Sequence, residues 1–415
     1  MNPKLKRNII LYFLTDISVF ISVYLSFFSM TWITFKMTGS PAALGTVGFA
    51  ENLPFLLFSI YGGVLADKYD RRKNVVKCNL ALTILSVITI IMVAFKMLSY
   101  PFILFLSFSL GSIFALNYPS MIGLVKDLVT DKLLFPRVMG AAASNAKIGQ
   151  IAAASTFSSL FAIFGAVGTF STAFAANLIA LFSIMALKKE PQPPNPMADS
   201  VVTQFVTGVK YVLRYKPLLA VIFVSTMISI VFGYVTFQLP VIDEDFLKGG
   251  ARNLGILYLA GAIGGLSSGI YMSKRKSTRN ILRFLILCTF ISGVCVAGMA
   301  FSRSLWITFI FAMGVDFSFI AAMGINNTVL QMLSEDSKRG RVLGVNTSCN
   351  WGIMALVIMV FGFLAKSIGT EKVLILIGTL TILSGFIYLW SVKAQRRTLD
   401  AIYKEREVEP GHEPI

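Results

Sequence analysis

Long apolar runs alternate with short polar segments along the whole chain. An α-helix of about 20 apolar residues crosses the roughly 30 Å hydrocarbon layer of a bilayer. Twelve runs reach about that length, so the pattern predicts twelve transmembrane helices, with the narrowest gap between the fifth and the sixth. They cover residues 9–35, 43–66, 75–95, 100–125, 138–164, 167–187, 217–241, 253–273, 281–302, 304–331, 342–365 and 373–392.

The composition also indicates a protein that lies in lipid. Of the 415 residues, 56% are hydrophobic and 14% are charged, whereas soluble domains average about 25% charged residues. The basic residues behind the net charge of +17 lie in short clusters between the apolar runs. That distribution is typical of membrane topology and argues against nucleic acid as a partner. The lone histidine, His412, follows the last run, so no histidine proton relay, metal site or cofactor is expected.

Lysine and arginine are unevenly divided between the two sides of the predicted spans. The N-terminus, every second loop and the C-terminal tail hold 29 of the 37 basic residues, and the intervening loops hold seven. Because basic loops stay on the cytoplasmic side, both termini are predicted to be cytoplasmic. The chain is therefore predicted to be a multi-pass protein of the plasma membrane, which in bacteria is the inner membrane, with the lipid bilayer as a partner.

The longest polar stretch inside the chain follows the sixth span. It contains PQPPNP at residues 191–196, and a helix does not continue there because proline fixes φ and lacks a hydrogen-bond donor. Residues 201–215 then have the pattern of an amphipathic helix at the membrane surface. The predicted parts are an N-terminal six-helix bundle (1–187), a cytoplasmic linker (188–216), a C-terminal six-helix bundle (217–392) and a cytoplasmic tail (393–415).

A short internal repeat supports this division. RVMG at residues 137–140 recurs as RVLG at residues 341–344, and each opens a span after a short charged loop. Because the two copies occupy the same point of both halves, they favour duplication of a six-span unit.

The segment between spans 2 and 3 has the sequence GGVLADKYDRRKNVV. Gly62 and Gly63 allow a neighbouring helix to approach closely. Asp67 can accept hydrogen bonds from a helix N-terminus, and Arg71 and Arg72 suit acidic groups or lipid phosphates. An ordinary basic cytoplasmic loop explains the positive charge equally well.

This segment resembles the signature loop of the major facilitator superfamily, G-x-L-A-D-x-x-x-R-R/K. The matching residues are Gly63, Leu65, Ala66, Asp67, Arg71, Arg72 and Lys73. The stretch MTGSPAALG (37–45) is similar to the macrolide-efflux and siderophore-exporter branch of twelve-span drug/proton antiporters. The resemblance implies an all-α integral membrane protein, with twelve transmembrane helices in two pseudo-symmetric six-helix bundles, the major facilitator fold.

The resemblance also implies a conformational lock and a central substrate site. In the family, the loop Asp and Arg act with an acidic residue at the end of span 4, and Asp127 is the matching residue here. The residues carried over to the lock are therefore Gly63, Asp67, Arg71, Arg72 and Asp127. Two features depart from drug antiporters: span 5 lacks their Gly-Pro motif, and span 4 lacks their arginine.

Four ionisable residues fall well inside the apolar runs: Asp16, Glu51, Lys147 and Asp316. A charge in mid-bilayer costs at least about 2.5–3.5 kcal/mol, so each needs a partner or an aqueous cavity. With no histidine in the spans, a coupled proton must use one of the three carboxylates, and Lys147 can alternate between them or bind an anionic substrate. Alternatively, Lys147 forms a fixed ion pair that only stabilises helix packing.

Polar and aromatic residues on the same spans are candidates for the lining of a substrate cavity. Interhelical hydrogen bonds or interfacial anchoring explain each of them alone better than a cavity does, and Trp32 is predicted to be an anchor at the outer interface. The candidates are Tyr12, Tyr24, Asn117, Asn145, Gln150, Tyr234, Gln238, Asn326, Asn327 and Trp351.

Together these features predict a monomeric secondary transporter that exports a small amphipathic organic molecule, of drug or siderophore type, driven by proton entry. A proton-coupled importer or symporter of a metabolite or metal chelate is the alternative, because composition does not encode direction. A non-transporting sensor would need a sizeable soluble domain. An enzyme is not expected, since the chain offers no metal cluster, glycine-rich nucleotide loop or Ser/His/Asp set.

Overall fold

The computed structural model describes residues 3–129, 131, 134–188, 201–275, 281–335 and 338–408, and most of them are helical. The helices are α1 Pro3–Thr38, α2 Pro41–Lys68, α3 Arg71–Ala94, α4 Tyr100–Leu128, α5 Phe135–Ala186, α6 Val201–Arg214, α7 Lys216–Ile242, α8 Gly250–Lys274, α9 Ile281–Phe301, α10 Leu305–Leu333, α11 Arg339–Thr347, α12 Met354–Ile368 and α13 Thr370–Val408. Two π-helical turns, Asp243–Leu247 and Ser348–Ile353, follow α7 and α11.

Helix α5 is a hairpin of two crossings. Gly165 inside it has φ 62° and ψ −158°, a backbone conformation that glycine adopts without a steric penalty. Contacts with α1 show that the chain reverses direction at this glycine. Before it, the two helices run parallel, since Asp16 meets Asn145 and Phe28 meets Phe157. After it they run antiparallel, since Thr15 meets Ala180 and Ser29 meets Thr169. The described residues contain 11 helices long and apolar enough to cross a membrane, and because α5 crosses twice, the twelve-span prediction is confirmed.

The helices form two bundles that meet along two seams. Helices α1–α5 pack mainly with one another, as do α7–α13, and the seams pair α2 with α12 and α5 with α8. At the first seam, α2 and α12 cross where Gly45 faces Gly362. A Cβ at Gly362 would lie 2.9 Å from both Gly45 Cα and the Pro41 carbonyl oxygen, so only glycine permits this approach.

The two ends of the molecule differ in how the bundles meet. We call the end with the α2–α3 turn the basic end, and the end with the α1–α2 turn the opposite end. Towards the opposite end, Gln238 Nε2 donates to the Pro41 carbonyl at 2.9 Å, and Lys36 Nζ lies 4.0 Å from Glu244 Oε2. These contacts join the bundles, so the structure is closed at the opposite end.

The predicted amphipathic segment forms α6. Its Gly208 lies against the backbone of Arg341 and the side chain of Val345, and Val212 is buried. Helix α6 is thus docked on α11 of the second bundle instead of lying free on a lipid surface. The PQPPNP segment lies outside the described residues, and the exact limits of the four predicted parts stay a prediction.

Candidate functional site

A buried ion pair joins the two bundles at the centre of the molecule. Lys147 Nζ on α5 lies 3.4 Å from Asp316 Oδ1 on α10 and donates to Gln150 Oε1 at 2.7 Å. Both charged side chains are only 9% exposed. A buried ion pair stays charged only when its remaining hydrogen-bonding groups are satisfied, and Gln150 supplies one such partner.

Two glycines of α8 leave the space that this ion pair occupies. A Cβ on Gly261 would lie 2.6 Å from Asp316 Oδ2, and one on Gly265 would lie 2.5 Å from Lys147 Cε. Residues four apart lie on the same face of a helix, so one face of α8, which carries no side chain at these two positions, accommodates both charged side chains. Sequence reasoning missed these residues, although the small-residue spacing of GAIGGLSSG (261–269) is a visible signal.

Adding a methyl group at either of these two glycines is expected to destabilise the protein. Gly261→Ala and Gly265→Ala should each lower the melting temperature, since overpacking costs about 1–3 kcal/mol. Gly269→Ala is the matched control, because a Cβ there meets nothing within 4 Å and alanine has the higher helix propensity. Thermal unfolding of the purified protein in detergent measures the difference. Equal melting temperatures for all three variants would contradict close packing of the ion pair against these two glycines.

Asp16 occupies a separate position within the first bundle. Asn145 Nδ2 donates to Asp16 Oδ2 at 3.0 Å, and the carboxylate interacts electrostatically with Tyr12 and Tyr118. Asp16 is 7% exposed. The hydrogen bond that holds its carboxylate therefore comes from an amide.

Glu51 is the third carboxylate of the centre. Its Oε2 is buried and, within the described part of the chain, has no hydrogen-bond partner. The side chain interacts electrostatically with Tyr24 of α1 and Tyr258 of α8. The three carboxylates thus differ in kind: Asp316 is paired with a lysine, Asp16 with an amide, and one oxygen of Glu51 has no hydrogen-bond partner among the described residues.

A continuous chain of aromatic rings, which we call the aromatic belt, runs through this centre. The first bundle supplies five of its rings and the second supplies Trp351 and Tyr258. In order, Trp351 lies on Phe55 (5.2 Å between ring centroids), Phe55 on Phe114 (6.0 Å), Phe114 on Phe20 (5.8 Å), Phe20 on Tyr24 (6.3 Å), Tyr24 on Phe28 (5.9 Å) and Phe28 on Tyr258 (3.9 Å).

Tyr118 of α4 lies beside the belt. Its ring stacks on Phe114 at 5.8 Å and interacts electrostatically with Asp16, yet the residue is 45% exposed. Tyr118 therefore adds an exposed phenol beside the belt and Asp16. Sequence reasoning missed Tyr118 and most of the belt, although the spacing of Phe20, Tyr24 and Phe28 along α1 marks a helix face.

Five of the ten predicted cavity residues lie at this centre. Tyr12 and Tyr24 lie beside the carboxylates, Asn145 and Gln150 hold Asp16 and Lys147 respectively, and Trp351 is the first ring of the belt.

The other five are placed differently. Gln238 donates to the Pro41 carbonyl of the other bundle, and Asn326 donates to Ser225 Oγ and Asn346 Oδ1 in a buried network of the second bundle. Asn327 is exposed, whereas Tyr234 and Asn117 are buried with an oxygen that has no partner among the described residues. Trp32 was predicted to be an anchor at the outer interface, but it is only 4% exposed and is covered by Lys36, so it is packed inside the protein instead.

The motif residues assemble at the basic end of the first bundle. Arg71 donates to Asp127 Oδ1 at 2.5 Å and, through Nε, to the Ala66 carbonyl at 2.9 Å. Gly123 provides the room for this guanidinium, since a Cβ there would lie 2.5 Å from Arg71 Nε. The Asp127 carboxylate is 3% exposed, so the pair is largely removed from water.

The remaining motif residues have other roles. Arg72 donates to the carbonyls of Ile184 and Met185 at the end of α5. A Cβ at Gly63 would meet nothing within 4 Å, so the predicted close approach belongs to Gly62, which lies against Ala115 of α4. The side chain of Asp67 lies outside the described residues, and its predicted part in the lock stays a prediction.

Breaking the Arg71–Asp127 pair is expected to slow the transport cycle. Asp127→Asn removes a charge-assisted hydrogen bond, and such bonds contribute about 1.5–3 kcal/mol, so we expect the transport rate to fall by about tenfold or more. Lys73→Gln is the control, because it removes a neighbouring charge of the same loop. Initial rates in proteoliposomes give the comparison, and equal rates for the two variants would rule out a specific contribution of the pair.

Two six-helix bundles that close over a buried, charged centre define the protein as a membrane transporter of the major facilitator type. A family model described as "Transmembrane secretion effector" matches residues 10–411. The chain therefore belongs to that family, which is part of the major facilitator superfamily. The superfamily resemblance is thereby confirmed, and the protein is a multi-pass membrane transporter, not an enzyme.

Curated relatives resemble the chain over most of its length. The staphyloferrin A transporter of Staphylococcus aureus is 20% identical over 89% of this chain and 93% of its own. Macrolide efflux protein A of Streptococcus pyogenes is 22% identical over 88% and 91%, and the multidrug efflux pump Tap of Mycolicibacterium fortuitum is 21% identical over 86% and 88%.

Solved structures share the fold at lower identity. A POT family transporter in complex with a thioalcohol-conjugated peptide superposes with a TM-score of 0.77, at 13% identity over 94% of this chain and 96% of the other. The nucleoside transporter NupG has a TM-score of 0.73, at 14% identity over 93% and 99%. The predicted two-bundle fold is confirmed.

Proposed function

We propose that this protein is a secondary active transporter that exports a small amphipathic organic molecule in exchange for protons, by alternating access. The relatives whose names describe a siderophore transporter, a macrolide efflux protein and a multidrug pump support this class of substrate. The observation that carries the proposal is the Lys147–Asp316 pair, because it places the two charges of a proton-sensitive contact on opposite bundles.

The pair offers a direct link between protonation and conformation. When Asp316 is charged, its attraction to Lys147 holds α5 against α10 and stabilises the state that is closed at the opposite end. When Asp316 binds a proton, that attraction is lost and Lys147 is left with Gln150 alone. For exchange, the proton binds Asp316 while the carrier is open at the opposite end and leaves at the basic end when the ion pair with Lys147 re-forms, in the manner of a two-state carrier.

The orientation follows from the charges of the loops. We propose that the basic end, with both chain termini, faces the cytoplasm and that the closed end faces outwards, because basic loops stay inside. A substrate would then reach the central site from the cytoplasm and leave at the opposite end. One chain supplies the complete site, so the proposed working unit is the monomer.

Flux measurements in proteoliposomes test this function. A macrolide or another amphipathic drug is given to vesicles of defined orientation with an imposed pH gradient, and a pH-sensitive dye follows proton movement. Substrate and protons should move in opposite directions, and collapse of the gradient should stop accumulation. Movement in the same direction would identify the importer instead, and flux that ignores the gradient would overturn proton coupling.

A further inference from the structure

The charges of the central site do not balance. Three carboxylates, Asp16, Glu51 and Asp316, share the centre with Lys147. That lysine is already engaged by Asp316 and Gln150, so its positive charge is not free for a ligand. The uncompensated groups are both acidic, and an anionic ligand would meet their repulsion in surroundings of low dielectric constant.

Of the two uncompensated groups, Glu51 is the one with a vacant hydrogen-bonding position. Asn145 already donates to Asp16, whereas Glu51 Oε2 has no partner in the described part of the chain. A buried polar atom without a partner is costly, and a ligand that supplies positive charge or a donor would remove that cost.

The rings next to Glu51 favour the same kind of ligand. Phe55 lies one helical turn beyond Glu51 on α2, stacks on Trp351 of the second bundle and meets the ring of Phe114. Tyr24 lies within electrostatic range of the carboxylate. Aromatic faces attract organic cations through the ring quadrupole, and the same faces give a greasy, adaptable surface to the apolar part of a ligand.

We propose that the central site binds organic cations, with Glu51 as the counter-charge and the Phe55 end of the aromatic belt as the cation–π surface. This inference rests on the proposed function only in taking the centre as the substrate site. It narrows the substrate from any amphipathic molecule to one that carries a positive charge, and it disfavours polycarboxylate ligands such as citrate-type chelators.

Two probes of similar shape and opposite charge test the inference. Tetraphenylphosphonium and tetraphenylborate are titrated against the full-length protein in detergent, and binding to protein-free micelles is subtracted. The wild type should bind the phosphonium at least about tenfold more tightly than the borate. Borate binding as tight as phosphonium binding, or tighter, would overturn the proposal.

Variants assign the preference to its residues. Glu51→Gln should weaken phosphonium binding by about tenfold and leave borate binding unchanged or tighter. Phe55→Leu keeps the carboxylate and should weaken only the phosphonium, by a few-fold. Glu371→Gln removes an exposed acid at the opposite end and should change neither. A Glu51→Gln variant with wild-type phosphonium affinity would contradict the assignment.

These measurements need no proton gradient and no flux, so they separate the two proposals. Selective phosphonium binding without coupled transport would overturn the antiport function and keep the cation site. Coupled transport of a neutral or anionic molecule, with no phosphonium preference, would do the reverse.

Discussion

Replacing Lys147 with methionine is expected to abolish coupled transport and to destabilise the protein by about 3–5 kcal/mol, because Asp316 is then left buried without its counter-charge. Adding Asp316→Leu should restore stability, since apolar residues often replace a buried ion pair at no cost. Transport should nevertheless stay absent in the double variant. Thermal unfolding and proteoliposome flux measure the two effects separately.

This pair of variants decides between the two interpretations of Lys147. If the ion pair only stabilised helix packing, the double variant would regain transport together with stability. Arg303, which pairs with Glu371 on the surface, provides the control: Arg303→Met removes an exposed ion pair, which contributes about 0–1 kcal/mol, and should affect neither property strongly.

A leucine at Gly362 is expected to prevent closure at the opposite end and to reduce transport at least tenfold. Even a Cβ at this position would lie 2.9 Å from the backbone of α2, and backbone atoms cannot move aside as a flexible side chain can. Because the bundles must meet here in one half of the cycle, the variant should stay in the state that is open at this end.

Spin labels at positions 36 and 244 measure this effect, in a protein whose four native cysteines are replaced by serine. Lys36 Nζ and Glu244 Oε2 lie 4.0 Å apart between the two bundles, so the label distance should lengthen in Gly362→Leu. Gly269→Leu puts the same side chain where a Cβ meets nothing within 4 Å and should keep the short distance. A short distance in both variants would show that the α2–α12 crossing does not control closure.

The sequence predicted the helices well because each span is a local property of composition. Position within an apolar run is a local property too, so Asp16, Lys147 and Asp316 could be expected to be buried, as they are. It could not predict that Lys147 meets Asp316 instead of Asp16, because the two partners are 169 residues apart in sequence and meet only when the two bundles dock in space.

Polar side chains within the spans were the harder case. Gln238 and Asn145 are both amides within predicted spans, yet Gln238 donates to a backbone carbonyl of the other bundle and Asn145 donates to the Asp16 carboxylate. The sequence also does not show which of two adjacent glycines faces a neighbouring helix. Gly62 touches α4 and Gly63 does not, because successive residues point about 100° apart around the helix axis.

The docking of α6 on the second bundle has a consequence for how the protein could be divided. Residues 187–200 connect α5 to α6, and a chain of that length spans at most about 50 Å. Cutting the gene within this segment would give two polypeptides, each with six crossings and with α6 retained by the second. Co-expressed, the two pieces should reassemble, because the α2–α12 and α5–α8 seams, and not the covalent connection, hold the bundles together.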